Sequence, residues 1–150
     1  MGTCFFIGHR DAPPSILPKL RETVERHIIE YGVEEFVVGK YGSFDRLAAQ
    51  AGREAKQCHP EIRLTLLLPY YDPTKNFELP SGFDGSLYPD GLENVPRRAV
   101  IVRANQYMVC RSDYLIAYDA GRIGNTRKLV EYARHRERKR LICVENLAGI

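Results

Sequence analysis

Three short stretches hold the residues best suited to chemistry: "GHRD" (8–11), "GKYGSFD" (39–45) and "YDAGRIGNT" (118–126). Each joins glycines to charged or hydroxyl side chains. Glycine lets backbone N–H groups come close to an anion, and a helix starting just beyond adds a favourable dipole. The chemistry suggested is the holding of a phosphate-bearing ligand. Arg10 offers a bidentate grip on phosphate or carboxylate, and His9 a donor or an acid–base group. Ser43 and Asp45 suit either a cap on the following helix or contact with a ribose hydroxyl or base. Asp119 follows an apolar run and precedes Gly121 and Gly124, a place that favours function over structure. Thr126 suits both capping and phosphate contact, and Lys40 adds a cation to the second loop. The plainer alternative is that Gly8, Gly39, Gly42 and Gly124 only permit tight turns.

The elements that must position these loops follow from apolar periodicity. "TCFFI" (3–7), "EFVV" (35–38), "RLTLLL" (63–68), "YLIAY" (114–118) and "RLICV" (140–144) read as buried strands. Between them lie amphipathic segments: Ile16, Leu17, Leu20, Val24 and Ile28 on one face, then Phe44, Leu47, Ala48, Ala51 and Ala55 on another. Two more helices are expected, from about Arg97 to Val109 and from Thr126 to about Arg138. Short apolar strands alternating with helices predict an α/β, Rossmann-like, doubly wound domain over 1–150, with a mainly parallel five-stranded sheet and helices on both faces. All three loops then leave strands at the sheet's C-terminal edge, where such folds bind ligands. The segment 69–96, rich in proline and tyrosine, shows no regular pattern and is expected to be a lid or insertion contributing to the site. Tyr41, Phe44, Tyr70 and Tyr71 are candidates for stacking on a base, Phe44 being better suited to the core.

Composition narrows the rest. The 150 residues are 44% hydrophobic and 27% charged, as in ordinary globular domains, and no apolar run approaches the ~20 residues of a membrane span. The start lacks the pattern of a signal peptide, so a cytoplasmic location is expected. Cys4, Cys58, Cys110 and Cys143 form neither a CxxC pair nor zinc spacing, so no metal site and no resident cofactor are expected. Cys4 and Cys143 read as small buried hydrophobes. A net charge of +3 is too small to argue for nucleic acid, which is not the expected partner. The basic run "RHRERKR" (134–140) reads as a helix end complementing the helix dipole, with a phosphate-backbone patch as the alternative.

"CFFIGHRD", "VVGKYGSFDRLAAQAGREAK", "YPDGLENVPRRAV" and "VRANQYMVCRSDYLIAYDAGRIGNTRKLVEYA" together resemble the SLOG superfamily, most closely its bacterial YpsA-like branch. The resemblance spans nearly the whole chain. It implies a Rossmannoid domain binding a nucleotide or nucleotide-derived small molecule, of the ADP-ribose or NAD kind or a nucleoside phosphate, as a sensor or sequestering domain. Relatives include LOG phosphoribohydrolases, DprA-type single-strand DNA binders and sensors of cyclic ADP-ribose-like signals. The resemblance therefore leaves a nucleotide N-glycosidase of the phosphoribohydrolase type as the alternative and DprA-like single-stranded DNA binding as a second alternative. The family pattern maps onto Gly8, His9, Arg10, Gly39, Gly42, Ser43, Asp45, Asn105, Asp119, Gly124 and Thr126, and implies pairing as a homodimer. Two positions depart from it: Ala104 stands where relatives carry arginine, with Arg103 adjacent, and Asn125 where they carry glycine. In the phosphoribohydrolase pattern a catalytic glutamate falls three residues after the threonine; here that position is Leu129. Glu131 lies two residues further on, about 200° around the helix. An N-glycosidase therefore has only Asp45 and Asp119 as candidate catalytic acids.

Overall fold

A computed structural model describes residues 2–70, 74 and 76–149. Its six strands form one sheet: β1 (Gly2–Gly8), β2 (Val33–Val38), β3 (Arg63–Leu67), β4 (Gly85–Leu87), β5 (Tyr114–Tyr118) and β6 (Cys143–Asn146). The order is β4-β3-β2-β1-β5-β6, and every pairing is parallel. Helices α1 (Leu17–Ile29) and α2 (Ser43–Cys58) cover one face; α3 (Val100–Arg111) and α4 (Asn125–Arg138) cover the other. The fold is thus the expected doubly wound α/β domain, with six strands where five were expected.

The run "CFFI" shows why β1 sits at the centre. Side chains alternate across a strand, so Cys4 and Phe6 enter the core under α1 and α2, while Phe5 and Ile7 enter the core under α3 and α4. Phe6 packs against Phe36 of β2 and Phe44 of α2, with ring centroids 5.8 and 6.4 Å apart. A strand buried on both faces needs apolar residues at every position, and this one has them.

The additional strand comes from segment 69–96. It lies parallel to β3 at the edge of the sheet. Asp84 then accepts the Leu64 N–H at 2.8 Å and meets the Lys56 ammonium at 2.8 Å, which starts β4 beside β3. The segment also holds a 3₁₀ turn at Leu92–Asn94 whose Leu92 is buried under α3. Of its described residues only Pro69 reaches the cavity discussed below, and others supply the edge strand and the 3₁₀ turn; the lid expected over 69–96 falls in part on residues 71–73 and 75, outside the described residues.

The last strand begins at Cys143, three residues later than "RLICV" suggests. Arg140 takes φ 61° and ends α4 in a Schellman motif. The Leu141 N–H donates to the Arg136 carbonyl at 3.1 Å, and the Arg140 N–H to the Glu137 carbonyl at 2.9 Å. Leu141 is left exposed, and Cys143, expected inside, is also exposed. Arg140 occupies a left-handed position that glycine normally fills. Arg140→Gly is therefore expected to raise stability by about 0.5–1 kcal/mol, measured by urea unfolding; an unchanged or lower midpoint would show that the backbone there is relaxed.

Candidate functional site

Winding runs from β1 through β2 to β3 in one direction and from β5 to β6 in the other, so the switch point lies between β1 and β5. A cavity of about 210 Å³ opens at this C-terminal edge. Its walls come from every loop named above. Gly8 and Arg10 follow β1; Gly39, Tyr41 and Asp45 follow β2; Leu67 and Pro69 close β3. The flank of α3 adds Asn105 and Gln106, and the first turns of α4 add Thr126, Lys128 and Leu129.

Two glycines let the elements beneath the cavity pack closely, Gly8 in its wall and Gly42 behind it. A Cβ at Gly8 would fall 2.2 Å from the Phe44 ring, so the fully buried phenylalanine needs a glycine above it. At Gly42, φ is 100° and a Cβ would fall 2.6 Å from the Arg10 Cα. The two loops therefore touch backbone to backbone. Ser43 fastens them: its N–H donates to the Arg10 carbonyl at 2.7 Å and its hydroxyl to the Ala12 carbonyl at 2.6 Å. Ser43 is thus no helix cap, and Thr126 makes no side-chain cap bond either; the N-caps are Gly42 and Gly124.

Asp45 is the acid of the cavity. One carboxylate oxygen accepts the Tyr41 N–H at 2.9 Å, just ahead of the helix. Burial pushes the Asp45 carboxyl up to about 7, against the lowering effects of that hydrogen bond and of the Arg10 charge. The Tyr41 hydroxyl is buried beside Tyr70 and Arg97 without a hydrogen bond of good geometry. Arg97 lies over the Tyr70 ring, 4.5 Å from its centroid. Arg10 and Lys128 border the cavity and enter no ion pair among the described residues.

Of the residues singled out from sequence, Gly8, Arg10, Gly39, Asp45, Asn105 and Thr126 line the cavity. His9, Lys40, Gly42, Ser43, Asp119, Gly121 and Gly124 do not. His9 and Asp119 instead clasp the switch point together. The Ala120 N–H donates to His9 Nε2 at 2.9 Å, and the Gly121 N–H donates to Asp119 Oδ1 at 2.9 Å. Asn146 of β6 brackets the Asp119 backbone, its Oδ1 accepting the Asp119 N–H and its Nδ2 donating to the Asp119 carbonyl, both at 2.9 Å. Burial, then the nearby Arg122 charge, lowers the His9 pKa, which suits a ring nitrogen used as an acceptor. Arg122 closes the same gap from outside through a bidentate pair with Asp11 at 2.8 and 2.9 Å. Lys40 is exposed.

Phe44 belongs to the core, Tyr41 to the cavity wall and Tyr70 to the exposed surface beside it; Tyr71 lies outside the described residues. Leu129 is buried against the cavity, so an apolar side chain stands at the glutamate position of the enzyme pattern. Glu131 is exposed and paired with Arg127 at 3.0 Å, away from the cavity. Arg103 does not reach the cavity beside Ala104, whereas Lys128, which the sequence reading passed over, does. Its position three residues past Gly-Asn within the first turn of a helix was the available signal. Among the described residues no group of three or more metal-ligating side chains is gathered, and no helix is long and apolar enough to cross a membrane.

No family model matches the chain. The chain is similar to the UPF0398 protein of Halalkalibacterium halodurans, at 26% identity over 121 residues. The match covers 75% of this chain and 64% of that protein, so the chain spans less than two thirds of its relative's length.

Proposed function

We propose that the chain is a SLOG-type domain of the YpsA-like branch that binds a nucleotide or nucleotide-derived ligand as a sensor or sequestering domain. The observation that carries this reading is the cavity itself, where two cations without ion-pair partners among the described residues, Arg10 and Lys128, meet the first turns of α2 and α4 at the switch edge of the sheet. Phosphate suits that combination of positive charge and free backbone donors. Asn105, Gln106 and Asp45 supply polar groups for a sugar or base, and Leu67, Ile101 and Leu129 an apolar wall. At about 210 Å³ the cavity is smaller than the roughly 300–1,000 Å³ of most small-molecule sites, so it encloses part of a nucleotide and leaves the rest at the mouth.

Native mass spectrometry against ADP-ribose, NAD, AMP and cyclic ADP-ribose isomers tests the reading, and an intact adduct is the expected result. Arg10→Ala is expected to weaken that adduct by about 1.5–3 kcal/mol, roughly 10- to 150-fold in Kd, the range for a hydrogen bond to a charged group. An unaltered Kd removes Arg10 from the site; no adduct with any member of the panel removes the reading.

A second reading, hydrolysis of a nucleotide N-glycosidic bond, rests on Asp45 alone. A carboxyl raised to about 7 inside the cavity holds a proton that a departing base can accept. Leu129 weighs against it, because no carboxylate stands where the enzyme pattern has one. Release of free base and ribose phosphate, lost in Asp45→Asn, would establish hydrolysis.

A further inference from the structure

The outer faces of α3 and α4 carry cations with few anions. Helix α3 contains Arg103 and Arg111 and no acid. Helix α4 contains five Lys or Arg residues against Glu131 and Glu137. Both glutamates are already engaged, with Arg127 at 3.0 Å and with Arg134 at 2.9 Å. Arg103, Arg111, Lys128, Arg138, Lys139 and Arg140 remain exposed and form no ion pair among the described residues. On the opposite face α1 and α2 mix the two signs and pair them, as in Arg21 of α1 with Glu54 of α2. The whole-chain charge of +3 averages over this segregation, so it says little about what one face can bind.

We propose that the α3–α4 face binds the sugar-phosphate backbone of nucleic acid without reading its sequence. The two helices are neighbours, joined where the Cys110 sulfur and the Tyr132 hydroxyl lie 3.0 Å apart. Their cations therefore share one surface, from Arg103 and Lys128 near the cavity edge to Arg111 and Arg138 at the far end. At 1.5 Å per residue that surface is about 20 Å long, roughly six base pairs of duplex. Arg140 extends it from a left-handed position where glycine would sit more easily. Tyr107, under the Arg111 guanidinium at 5.2 Å, places an aromatic ring among the cations, as single-strand binders do.

Other occupants fit less well. Helices that lie on a lipid surface present a stripe of large apolar side chains to it, yet none of the exposed large hydrophobics falls within α3 or α4, and the two that flank α4, Ile123 and Leu141, are single residues at its opposite ends. A two-fold dimer through this face would set like charges against each other.

The test is fluorescence anisotropy with labelled random-sequence 30-mers, single-stranded and duplex, at 50 and 200 mM salt. Binding to either is expected, weakening roughly 100- to 1,000-fold across that interval for contact with four to six phosphates. The double variant Arg103→Glu, Arg138→Glu avoids Lys128, which also borders the cavity, and is expected to lose at least 30-fold in affinity and to flatten the salt slope. Arg46→Glu, exposed on α2, is expected to bind as the unaltered protein does. Absence of binding at 50 mM salt, or an equal loss in Arg46→Glu, overturns the proposal. So does retention on vesicles containing 30% phosphatidylserine without DNA binding, or a concentration-dependent dimer abolished by the double variant without DNA binding.

Discussion

Gly42→Ala is expected to remove roughly 3–5 kcal/mol from the stability of the fold, the largest effect of any single substitution considered. Two independent costs add. With φ 100° and ψ −176°, Gly42 sits in a backbone region that is essentially reserved for glycine, and an L side chain there costs on the order of 1–3 kcal/mol. The added methyl also lands 2.6 Å from Arg10 Cα and 2.8 Å from its Cβ, and a backbone atom cannot turn aside as a side chain can. Overpacking of that kind adds about 1–3 kcal/mol. Relieving it means moving the β1 loop away from α2, which breaks the Ser43 N–H bond to the Arg10 carbonyl. For a domain of this size about 2–4 °C of Tm goes with each kcal/mol, so a drop near 10 °C is expected in calorimetry. A variant within 1 kcal/mol of the unaltered protein would mean that the two loops are not in contact in solution.

Asp45→Asn has the second largest expected effect, and its sign depends on pH. The carboxyl stands near 7 in the folded chain against an ordinary 3.8, so between those values the native state holds a proton that the unfolded chain has released. Its contribution to stability is therefore complete below about pH 4 and is lost as pH rises through 7. At about 1.4 kcal/mol per unit, the unaltered protein gives up about 2–3 kcal/mol on this account between pH 5 and pH 8. Asparagine keeps an oxygen to accept the Tyr41 N–H and has no proton to lose. The variant should gain that same 2–3 kcal/mol relative to the unaltered protein as pH goes from 5 to 8. His9 and His27, both held below their ordinary value mainly by burial, titrate in the two proteins alike and cancel from the difference. Parallel stability curves would show that Asp45 ionises freely. Lost ligand binding in Asp45→Asn at pH 6, with stability intact, would place the carboxyl in contact with the ligand.

How much of this was legible in the sequence depends on how far each feature is set by its own residues. "YLIAY" reads as a strand because five residues buried on both faces need no outside information, and β5 is Tyr114–Tyr118. "GSL" gives no such signal. β4 exists because Asp84 catches the Leu64 N–H and Lys56, partners that only the fold brings near. "RLICV" misleads because apolar residues in a capping turn resemble the start of a strand. That the three glycine loops gather at one edge of the sheet was readable, since chain order fixes which strand ends they leave. Two distinctions were not readable. One is that His9 and Asp119 face each other across the switch point while Arg10 and Asp45 face the cavity. The other is that the side of α3, through Asn105 and Gln106, forms a wall. Both depend on the order of strands in space.

The position of β1 has a consequence for the chain as it is made. Its edge against β5 pairs Cys4 with Tyr114 and Phe5 with Leu115, partners separated by 110 residues of sequence. At about 5–20 residues per second, a ribosome needs roughly 6–20 s to deliver the second after the first. Until then β1 can be covered on one side by β2, but its other edge, carrying "CFFI", stays unpaired. Of all the strands in the sheet β1 thus waits longest for its second partner, and the newborn chain is most open to misassociation in that interval.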